Sequence, residues 1–396
     1  MQGLSMQGNV KIKRAVDHDI SSAPVSRAKP RRLTILGATG SIGQSTADVI
    51  EAVPGAFAVE AVVAGSDAVG LAAMARRLGA RIAVLADVNG YGALKDLLSG
   101  SGIEAAAGVQ AVCDSARRPV DMVIGAITGA AGVKPTFAAI EAGQTIALAN
   151  KECLVCAGAP FMRAVQERNV TILPMDSEHN AIFQAMAGND ARRIAKMILT
   201  ASGGPFREWS AAQIAAATPD QALAHPNWDM GPKVSIDSAS LMNKGLELIE
   251  AHYLFGVSAE KLGVLVHPQS IIHGLVTYAD GAMVAGMANP DMKVPIAHCL
   301  GWPERIDTGA VPLDLSEIAQ LTFDKPDFGR FPALMLAIDA LKQGGAMPTV
   351  LNAANEIAVG KFLEHEASFP DIARIVEETL SRFLAHNRNE APSSVS

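Results

Sequence analysis

Two carboxylates separated by a single serine are the side chains of this sequence best suited to chemistry. Asp176 and Glu178 flank Ser177 directly after an apolar segment, 170–174. In an extended segment, residues two apart point the same way, so the two carboxylates repel each other unless a proton or cation lies between them. Oxygen ligands favour Mg²⁺ or Mn²⁺ over Zn²⁺. The pair predicts a divalent-cation site that needs a third ligand; His179 is a candidate, although a histidine at a helix start is more often structural.

A polar helix face later in the chain offers that ligand. We predict a helix capped by Asp237 or Ser238, on which Asn243, Lys244 and Glu247 share one face because they are three or four residues apart. Another face of this helix is apolar and consists of Met242, Leu246, Ile249 and Tyr253. The polar face is equally typical of a solvated amphipathic helix. If it belongs to a site, Glu247 is the obvious third ligand of the cation.

The segment before this helix is predicted to be a loop. Pro226, Gly231 and Pro232 interrupt helix and strand alike, and Trp228 lies among them. The pattern indicates a mobile loop that carries an indole ring into the start of the helix.

A glycine-rich turn near the beginning of the chain predicts a dinucleotide site. Gly37, Gly40 and Gly43 follow a short apolar strand, 32–37, and precede a helix, 44–52. Glycines allow a tight turn and let backbone N–H groups approach a pyrophosphate at the helix N-terminus. The spacing differs from the usual G-x-G-x-x-G, and a plain tight turn between strand and helix is the alternative.

The residues after the next predicted strand, 57–64, would lie beside the adenosine ribose. Asp67 could accept a ribose hydroxyl, whereas a 2′-phosphate prefers lysine or arginine. Neither residue type occurs at 65–69, where Gly65 and Ser66 precede Asp67. The local sequence therefore leaves the choice between NAD and NADP open.

Further apolar segments alternate with alanine-rich helical stretches, which predicts a parallel sheet with helices on both faces. The strand at 145–149 runs into Asn150, Lys151 and Glu152. Because the carboxyl ends of such strands line the ligand crevice, these three polar residues are site candidates. They are also typical of a helix start. A later strand, 192–201, ends at Ser202 in a serine–glycine–glycine turn that suits a phosphate or is a plain loop.

The chain as a whole is predicted to be an α/β protein of three domains: a doubly wound, Rossmann-like parallel sheet, a central α+β domain with antiparallel strands, and a small helical domain. The predicted segments are a disordered extension (1–30), the dinucleotide domain (31–176), the catalytic and dimerisation domain (177–303), a linker (304–330), the helical domain (331–387) and a tail (388–396).

Composition excludes several classes of protein. The net charge of −7 argues against a nucleic-acid surface, and no apolar run reaches the roughly 18 residues of a membrane span. Residues 1–30 lack the apolar core of a secretory signal. Cys153 and Cys156 form a C-x-x-C pair without a second pair, which favours two thiols on a buried helical turn over redox or zinc chemistry. A reducing compartment, the cytoplasm, is the expected location.

Several motifs in one order resemble the 1-deoxy-D-xylulose 5-phosphate reductoisomerase family. The matching stretches are 37–43, 149–152, 175–184, 200–206, 225–250, 267–270, 289–303 and 351–356. The resemblance covers 32–387 and implies a homodimeric enzyme that uses NADPH and one divalent cation, Mg²⁺, Mn²⁺ or Co²⁺. It implies a rearrangement of the phosphorylated sugar by retro-aldol and aldol steps, followed by hydride transfer to the resulting aldehyde.

The resemblance also implies roles for individual residues. The metal ligands would be Asp176, Glu178 and Glu247. Lys151 and Ser177 would hold the hydroxyl and carbonyl end of the substrate. The phosphate would lie among Ser202, Ser238, Asn243 and Lys244, covered by His225. The residues that would contact NADPH are Thr39, Gly40, Ser41, Ile42, Asn150, Glu152 and Gly231, with Gly65, Ser66 and Asp67 at the adenosine end. The loop at 225–233 would be a flexible lid, and Trp228 would be its indole.

Two other functions remain possible at this point. A plain sugar or semialdehyde dehydrogenase would share the glycine turn but would not need three carboxylates at a metal. A non-catalytic dinucleotide sensor would be expected to lack Lys151 or the carboxylates, all of which are present.

Overall fold

The computed structural model describes residues 29–228, 230–386 and 389–395. The predicted disordered extension lies outside this range except for Lys29 and Pro30. Asp229 of the predicted lid also lies outside it, as do Asn387 at the end of the predicted helical domain and Arg388 and Ser396 of the predicted tail.

A seven-stranded parallel sheet forms the first part of the chain, in the order β4-β3-β2-β1-β5-β6-β7. Its strands are β1 (Arg31–Leu36), β2 (Phe57–Ala64), β3 (Ile82–Leu85), β4 (Glu104–Ala107), β5 (Met122–Gly125), β6 (Thr145–Leu148) and β7 (Ile172–Pro174). Its helices are α1 (Ser41–Ala52), α2 (Ala68–Arg77), α3 (Tyr91–Leu97), α4 (Val109–Arg117), α5 (Val133–Glu141) and α6 (Glu152–Glu167). The predicted Rossmann-like α/β fold is confirmed. The strand β4 was not predicted, because its three alanines lack the β-branched side chains typical of strands.

The glycine turn lies where the strand order reverses, since β1 pairs with both β2 and β5. Gly37 has φ +92, and a Cβ atom on it would lie 2.4 Å from the carbonyl oxygen of Ala126 after β5. A Cβ atom on Gly43 would lie 2.4 Å from the carbonyl oxygen of Ala38. Both positions therefore need glycine, and the turn opens at the point where doubly wound sheets bind their ligands.

A second, four-stranded sheet has the order β11-β10-β8-β9. Its strands are β8 (Ile194–Ala201), β9 (Leu262–Val266), β10 (Ile272–Tyr278) and β11 (Met283–Met287). The helices around it are α7 (Ser177–Ala185), α8 (Ala211–Ala215), α9 (Pro219–Leu223), α10 (Pro232–Ala239), α11 (Met242–Phe255) and α12 (Lys293–Gly301). β10 is antiparallel to β8 and β11 as predicted, but β9 runs parallel to β8. The helical connection from β8 to β9 crosses the sheet, and such a crossover joins parallel strands.

The helix predicted to start at Asp237 or Ser238 is two helices. Both residues lie inside α10, and the chain turns at Leu241, which is left-handed with φ 61 and ψ 9. A new helix, α11, begins at Met242. No glycine or proline marks this break, so residue types alone do not predict it. The predicted apolar stripe of α11 faces the core, with Met242 and Leu246 fully buried.

Glycines let α7 lie directly on the second sheet. A Cβ atom on Gly274 of β10 would lie 2.9 Å from the backbone oxygen of Glu178, and one on Gly286 of β11 would lie 2.4 Å from the Cβ of Ala181. This close packing fixes the helix that carries the first two carboxylates of the predicted site.

We expect Gly274→Ala to destabilise the fold by about 1–3 kcal/mol, because the added methyl group forces α7 away from β10. Chemical denaturation measures the change, and the apparent affinity for Mn²⁺ should fall with it. Gly360→Ala is the control, since a Cβ atom there meets nothing within 4 Å and alanine favours a helix interior by up to about 1 kcal/mol. Equal stability of the two variants would contradict the packing argument.

The last helices pack against both preceding units. They are α13 (Leu315–Ile318), α14 (Pro332–Gln343), α15 (Met347–Leu363) and α16 (Phe369–His386). Gly245 of α11 lets α14 approach closely, because a Cβ atom there would lie 2.3 Å from the Cβ of Ala337. In α15, the hydroxyl of Thr349 donates to the carbonyl oxygen of Cys156 at 2.8 Å. Within the predicted linker, Asp324 forms an antiparallel bridge with Val266.

The two thiols of the C-x-x-C pair lie on α6, and both are free. Cys153 is buried, and burial raises the pKa of Cys156 to about 12. These thiols are protonated at neutral pH, in agreement with the structural interpretation. Among the described residues, no helix combines the length and the apolar character that crossing a membrane requires.

Candidate active site

Three carboxylates converge although their local structure differs from the prediction. Asp176 is the N-cap of α7, and its Oδ1 accepts the backbone N–H of Glu178 at 3.2 Å. The segment is therefore a helix start, and the prediction that it is extended was wrong, because the aspartate side chain satisfies the first free N–H groups of the helix. The carboxylate oxygens of Asp176, Glu178 and Glu247 nevertheless lie within 4.8 Å of one another.

Two buried lysines neutralise this cluster. The Nζ of Lys151 donates to Asp176 Oδ2 at 3.1 Å and to Glu247 Oε1 at 3.2 Å. The Nζ of Lys244 donates to Glu178 Oε1 and to Glu247 Oε2, both at 2.5 Å. Asn243 connects the two halves, since it accepts from Lys151 at 2.9 Å and donates to Glu247 at 2.5 Å. The polar face of α11 thus belongs to a buried site rather than to solvent.

The two carboxylates at the start of α7 differ in acidity. Burial raises the pKa of Glu178 to about 7, with the charge of Glu247 adding to the effect and Lys244 opposing it. Burial also favours the neutral form of Asp176, but Lys151 and His179 hold its pKa well below the usual range. Ser177 donates its hydroxyl to Glu178 Oε2 at 2.5 Å. A carboxylate that ionises near neutrality beside two further carboxylates is suited to a cation, whose charge would favour its ionised form.

His179 and Glu250 stand directly behind the carboxylates. His179 Nε2 lies 3.0 Å from the backbone oxygen of Glu247, and its Nδ1 lies 3.4 Å from Glu250 Oε2 and 3.5 Å from Asp176 Oδ1. Asp176, His179 and Glu250 form a second group with ligand atoms within 4.8 Å of one another. The sequence reasoning missed Glu250, which its spacing of three residues from Glu247 on one helix could have revealed.

A second polar cluster lies at the end of β8. His225 Nδ1 accepts the backbone N–H groups of Asn227 at 3.2 Å and Trp228 at 3.0 Å, so the ring proton is on Nε2. That proton is donated to Ser202 Oγ at 2.9 Å, and Ser202 Oγ also accepts the N–H of Gly204 at 3.1 Å. The hydroxyl proton of Ser202 therefore remains available for an acceptor in the cleft, such as a phosphate oxygen.

The described part of the lid lies on the turn after β9. The side chain of Asn227 donates to the carbonyl oxygen of Pro268 and to Ser270 Oγ, both at 2.8 Å. The ring of Trp228 lies 6.3 Å from that of His273. In this arrangement the indole covers one side of the cleft.

Most of the predicted site residues line one cleft of about 350 Å³. The predicted residues that line it are Gly40, Ser41, Ile42, Asn150, Lys151, Glu152, Asp176, Ser177, Glu178, Ser202, His225, Trp228, Gly231, Ser238, Asn243, Lys244 and Glu247. Four predicted residues are not among its lining: Thr39, Gly65, Ser66 and Asp67. Asn150 also has a structural contact, since its amide donates to the carbonyl oxygens of Ile127 and Gly129.

A buried ion-pair network at the base of the lid was not predicted. Lys233 Nζ lies 2.9 Å from Glu152 Oε1 and 2.9 Å from Asp237 Oδ2, and Asp237 Oδ1 accepts from Asn355 at 2.7 Å. The network joins α6, α10 and α15. The spacing of Lys233 and Asp237, four residues apart, was the available signal, but the partners on other elements were not visible in the sequence.

Two histidines make the stability of this region depend on pH. Burial lowers the pKa of His225 and of His298 to about 4, and each Nδ1 accepts a hydrogen bond; that of His298 lies 3.0 Å from Asn180 Nδ2. The unfolded chain takes up these protons near pH 6.5. Because the folded state does not, each of these histidines lowers the midpoint of thermal unfolding as the pH decreases from 6.5 to 5. Glu178 and Glu250, whose pKa burial raises to about 7, act in the opposite direction over the same range, so the contribution of a histidine is measured by comparing variants.

A thermal-unfolding series at constant ionic strength measures this dependence. His298→Gln keeps an acceptor but cannot titrate, so its midpoint at pH 5, relative to that at pH 6.5, should be higher than in the unmodified protein. His386→Gln changes an exposed histidine and should leave the difference between the two midpoints unaltered. The same pH dependence in His298→Gln and in the unmodified protein would contradict the prediction.

Three stretches of the chain match models of domains from one protein family. Residues 33–158 match 1-deoxy-D-xylulose 5-phosphate reductoisomerase, 172–255 its C-terminal domain, and 287–396 the DXP reductoisomerase C-terminal domain. A 1-deoxy-D-xylulose 5-phosphate reductoisomerase from Rhodopseudomonas palustris (strain BisA53) is 54% identical over 370 residues, which cover 92% of this chain and 91% of the relative. The chain belongs to the 1-deoxy-D-xylulose 5-phosphate reductoisomerase family. The resemblance seen in the sequence is thereby confirmed.

Solved structures of reductoisomerases have the same fold. The enzyme from Zymomonas mobilis in complex with NADPH superposes with a TM-score of 0.86 at 50% identity, over 93% of this chain and 94% of that one. A DOX-P reductoisomerase in complex with NADPH, fosmidomycin and magnesium gives a TM-score of 0.85 at 41% identity, over 88% of this chain and 89% of that one.

Proposed function

We propose that this chain converts 1-deoxy-D-xylulose 5-phosphate into 2-C-methyl-D-erythritol 4-phosphate, in the non-mevalonate route to isoprenoid precursors. The observation that carries the proposal is one cleft in which three carboxylates and two lysines meet, with the glycine turn at its other end. A plain dehydrogenase would need the turn but not the carboxylates.

The residues fit a divalent cation. Asp176, Glu178 and Glu247 would hold it, because three hard oxygen donors on two rigid helices suit Mg²⁺ or Mn²⁺. When bound, the cation supplies Lewis-acid polarisation of the substrate oxygens. Lys151 and Ser177 would orient the hydroxyl and carbonyl end of the substrate beside it.

The phosphate of the substrate would lie at the N-terminal end of α11. Ser202, Ser238, Asn243 and Lys244 line that part of the cleft and offer hydroxyl, amide and ammonium donors. His225 keeps Ser202 oriented through its hydrogen bond. Binding energy from this remote group can stabilise closure of the lid and exclude water from the reacting carbons.

NADPH would enter from the glycine turn. Thr39 to Ile42 lie at the N-terminus of α1, where backbone N–H groups suit the pyrophosphate. Asn150, Glu152 and Gly231 would border the nicotinamide end, and bound NADPH supplies the hydride for the aldehyde. Glu152, held by Lys233, keeps this end connected to the base of the lid.

The second sheet offers a surface for a homodimer. Met283, Val284 and Met287 on the edge strand β11 are exposed, with Met283 at 53%. Exposed apolar side chains on an open strand edge favour pairing with another strand, so we propose that two copies meet there. A cytoplasmic location is consistent with the free thiols.

The decisive experiment follows the oxidation of NADPH with 1-deoxy-D-xylulose 5-phosphate, with and without Mn²⁺, and detects the product by mass spectrometry. We expect turnover only with the cation present. Full activity after removal of divalent cations would favour a plain dehydrogenase. Binding of the dinucleotide without turnover under any condition would favour a non-catalytic sensor.

A further inference from the structure

One segment of the helical domain contacts the residues of the cleft from behind. In α15, Asn352 and Asn355 lie three residues apart, and both side chains are buried, although neither residue lines the cleft. Burying an amide is unfavourable unless it forms a hydrogen bond. The Nδ2 of Asn355 donates to Asp237 Oδ1 of α10 at 2.7 Å. This hydrogen bond connects the helical domain with the helix that follows the lid.

Asp237 divides its two carboxylate oxygens between two partners. Its Oδ1 accepts from Asn355, and its Oδ2 lies 2.9 Å from the Nζ of Lys233, one turn earlier on α10. The same Nζ lies 2.9 Å from Glu152 Oε1. These four residues form one continuous chain of contacts from α15 through α10 to α6, which we call the lid-base network.

The start of α10 depends on the lid-base network because local capping does not fix it. The N-cap of α10 is Gly231, which has no side chain to accept the first free N–H groups, and Pro232 follows it. Glycine also leaves the backbone free to adopt many directions. Lys233 is the first side chain of the helix that forms an ion pair. Since the lid ends at this point, the network sets the direction of its last residues.

The other end of the lid-base network fixes the start of α6. Glu152 is the first residue of this helix and directly follows Lys151. The Nζ of Lys151 lies 3.1 Å from Asp176 Oδ2 and 3.2 Å from Glu247 Oε1. Holding Glu152 in place therefore also holds the backbone of the lysine that neutralises the carboxylates.

One ammonium group balances two buried carboxylates in the network. Burial favours the neutral form of Lys233, but the charges of Asp237 and Glu152 raise its pKa. Burial also favours the neutral form of Glu152, but the charge of Lys233 lowers its pKa. Without the ammonium group the two carboxylates would repel each other, so the network keeps its arrangement only as a unit.

We propose that Asn355 and Asp237 are positioning residues: acting through Lys233, they hold the end of the lid and the start of α6 in the arrangement that hydride transfer requires. Asn355 acts from behind the cleft and touches neither substrate nor dinucleotide. The kinetic effect rests on the proposed function, whereas the effect on the lid does not.

The first test compares Asn355→Leu with Asn352→Leu. Both changes replace a buried amide on α15 with an apolar side chain of similar size, but Asn352 donates to Cys156 Sγ and Glu356 Oε1 and not to the network. We expect kcat to fall by about 10- to 100-fold in Asn355→Leu, since a misplacement of about 1 Å has effects of this size. In Asn352→Leu, kcat should stay nearly unchanged. NADPH binding, measured by calorimetry, should change little in either variant because the glycine turn keeps its contacts.

Kinetic isotope effects distinguish positioning from a loss of folded protein. With NADPH deuterated at the transferred hydrogen, the isotope effect on kcat should rise in Asn355→Leu, because misplacement slows hydride transfer relative to the conformational steps. A smaller fraction of folded enzyme would lower kcat without changing the isotope effect.

Variants of Lys233 test whether Asn355 acts through this lysine. Lys233→Met should reproduce both kinetic effects, and Lys233→Arg, which keeps a charged donor for the two carboxylates, should restore most of kcat. Adding Asn355→Leu to Lys233→Met should lower kcat little further, because the effects of residues that act as a unit are not additive. The side chain of Lys233 is 25% exposed, so Lys233→Met tests the same connection even if Asn355→Leu does not fold.

Hydrogen exchange followed by mass spectrometry observes the lid without substrate. The backbone N–H groups of 230–236 should exchange faster in Asn355→Leu and in Lys233→Met than in the unmodified protein, because local opening becomes easier when the network is broken. In Asn352→Leu, exchange in this segment should stay unchanged.

Equal kcat values in Asn355→Leu and Asn352→Leu would overturn the proposal, as would a loss of kcat in Asn355→Leu without a rise in the isotope effect. If the unmodified protein does not turn over the substrate, the proposed function fails and hydrogen exchange decides alone. Faster exchange of 230–236 in Asn355→Leu would then support the positioning of the lid, and exchange equal to that of Asn352→Leu would refute it.

Discussion

Replacing Glu247 with glutamine is expected to lower kcat by about 10³-fold or more, because it removes one of three anionic oxygen donors while keeping the shape of the side chain. Glu247 is 1% exposed and accepts from Lys151, Asn243 and Lys244. An amide cannot accept all three hydrogen bonds on its one oxygen without strain. The affinity for NADPH should change only a few fold, since the glycine turn lies at the other end of the cleft.

The two effects are measured separately, kcat by NADPH oxidation with saturating Mn²⁺ and NADPH affinity by quenching of tryptophan fluorescence. Glu260→Gln is the matched control, because it changes an exposed carboxylate shortly after α11 and should leave both quantities unaltered. Equal losses of turnover and of NADPH binding in Glu247→Gln would instead show that the residue serves folding.

Replacing Lys244 with methionine is expected to change two affinities in opposite directions. The KM for the substrate should rise by about 100-fold, because a buried phosphate would lose a charged hydrogen-bond donor. The affinity of the free protein for Mn²⁺ should increase. Lys244 neutralises Glu178 and Glu247 at 2.5 Å in the free protein, and a cation must compete with that ammonium group.

Electron paramagnetic resonance counts free Mn²⁺ and so measures the second effect without substrate. Lys261→Met is the control, since that lysine donates to the backbone oxygen of Ile194 and not to the carboxylates. A general loosening of the fold would weaken both affinities, so a joint decrease would contradict the prediction.

The fold and the main site residues could be predicted because residue types and their spacing along the chain indicate them. Gly37 and Gly43 are needed where the backbone passes another strand, and such glycines are visible as spacing. Glu247, Lys244 and Asn243 could be grouped because helical spacing places them on one face. The pairing of Glu247 with Asp176 and Glu178 rested on the number of ligands, since two carboxylates are too few to bind a cation tightly.

Contacts between distant elements could not be predicted. Lys233 of α10 pairs with Glu152 of α6, and nothing local distinguishes it from a solvated lysine. His179 and Glu250 meet only because α7 and α11 pack together. The break between α10 and α11 at Leu241 could not be predicted for a different reason. The left-handed backbone of Leu241 is unfavourable for leucine and is imposed by the packing of the two helices on either side.

The corner at Leu241 has a consequence for the length of the substrate. Ser238 lies before the corner and Glu247 after it, so backbone geometry sets the separation between this phosphate donor and the carboxylate. We therefore expect the site to select substrates by length. A sugar phosphate with one carbon more or fewer between its phosphate and its chelating oxygens would contact either Ser238 or the carboxylates, but not both.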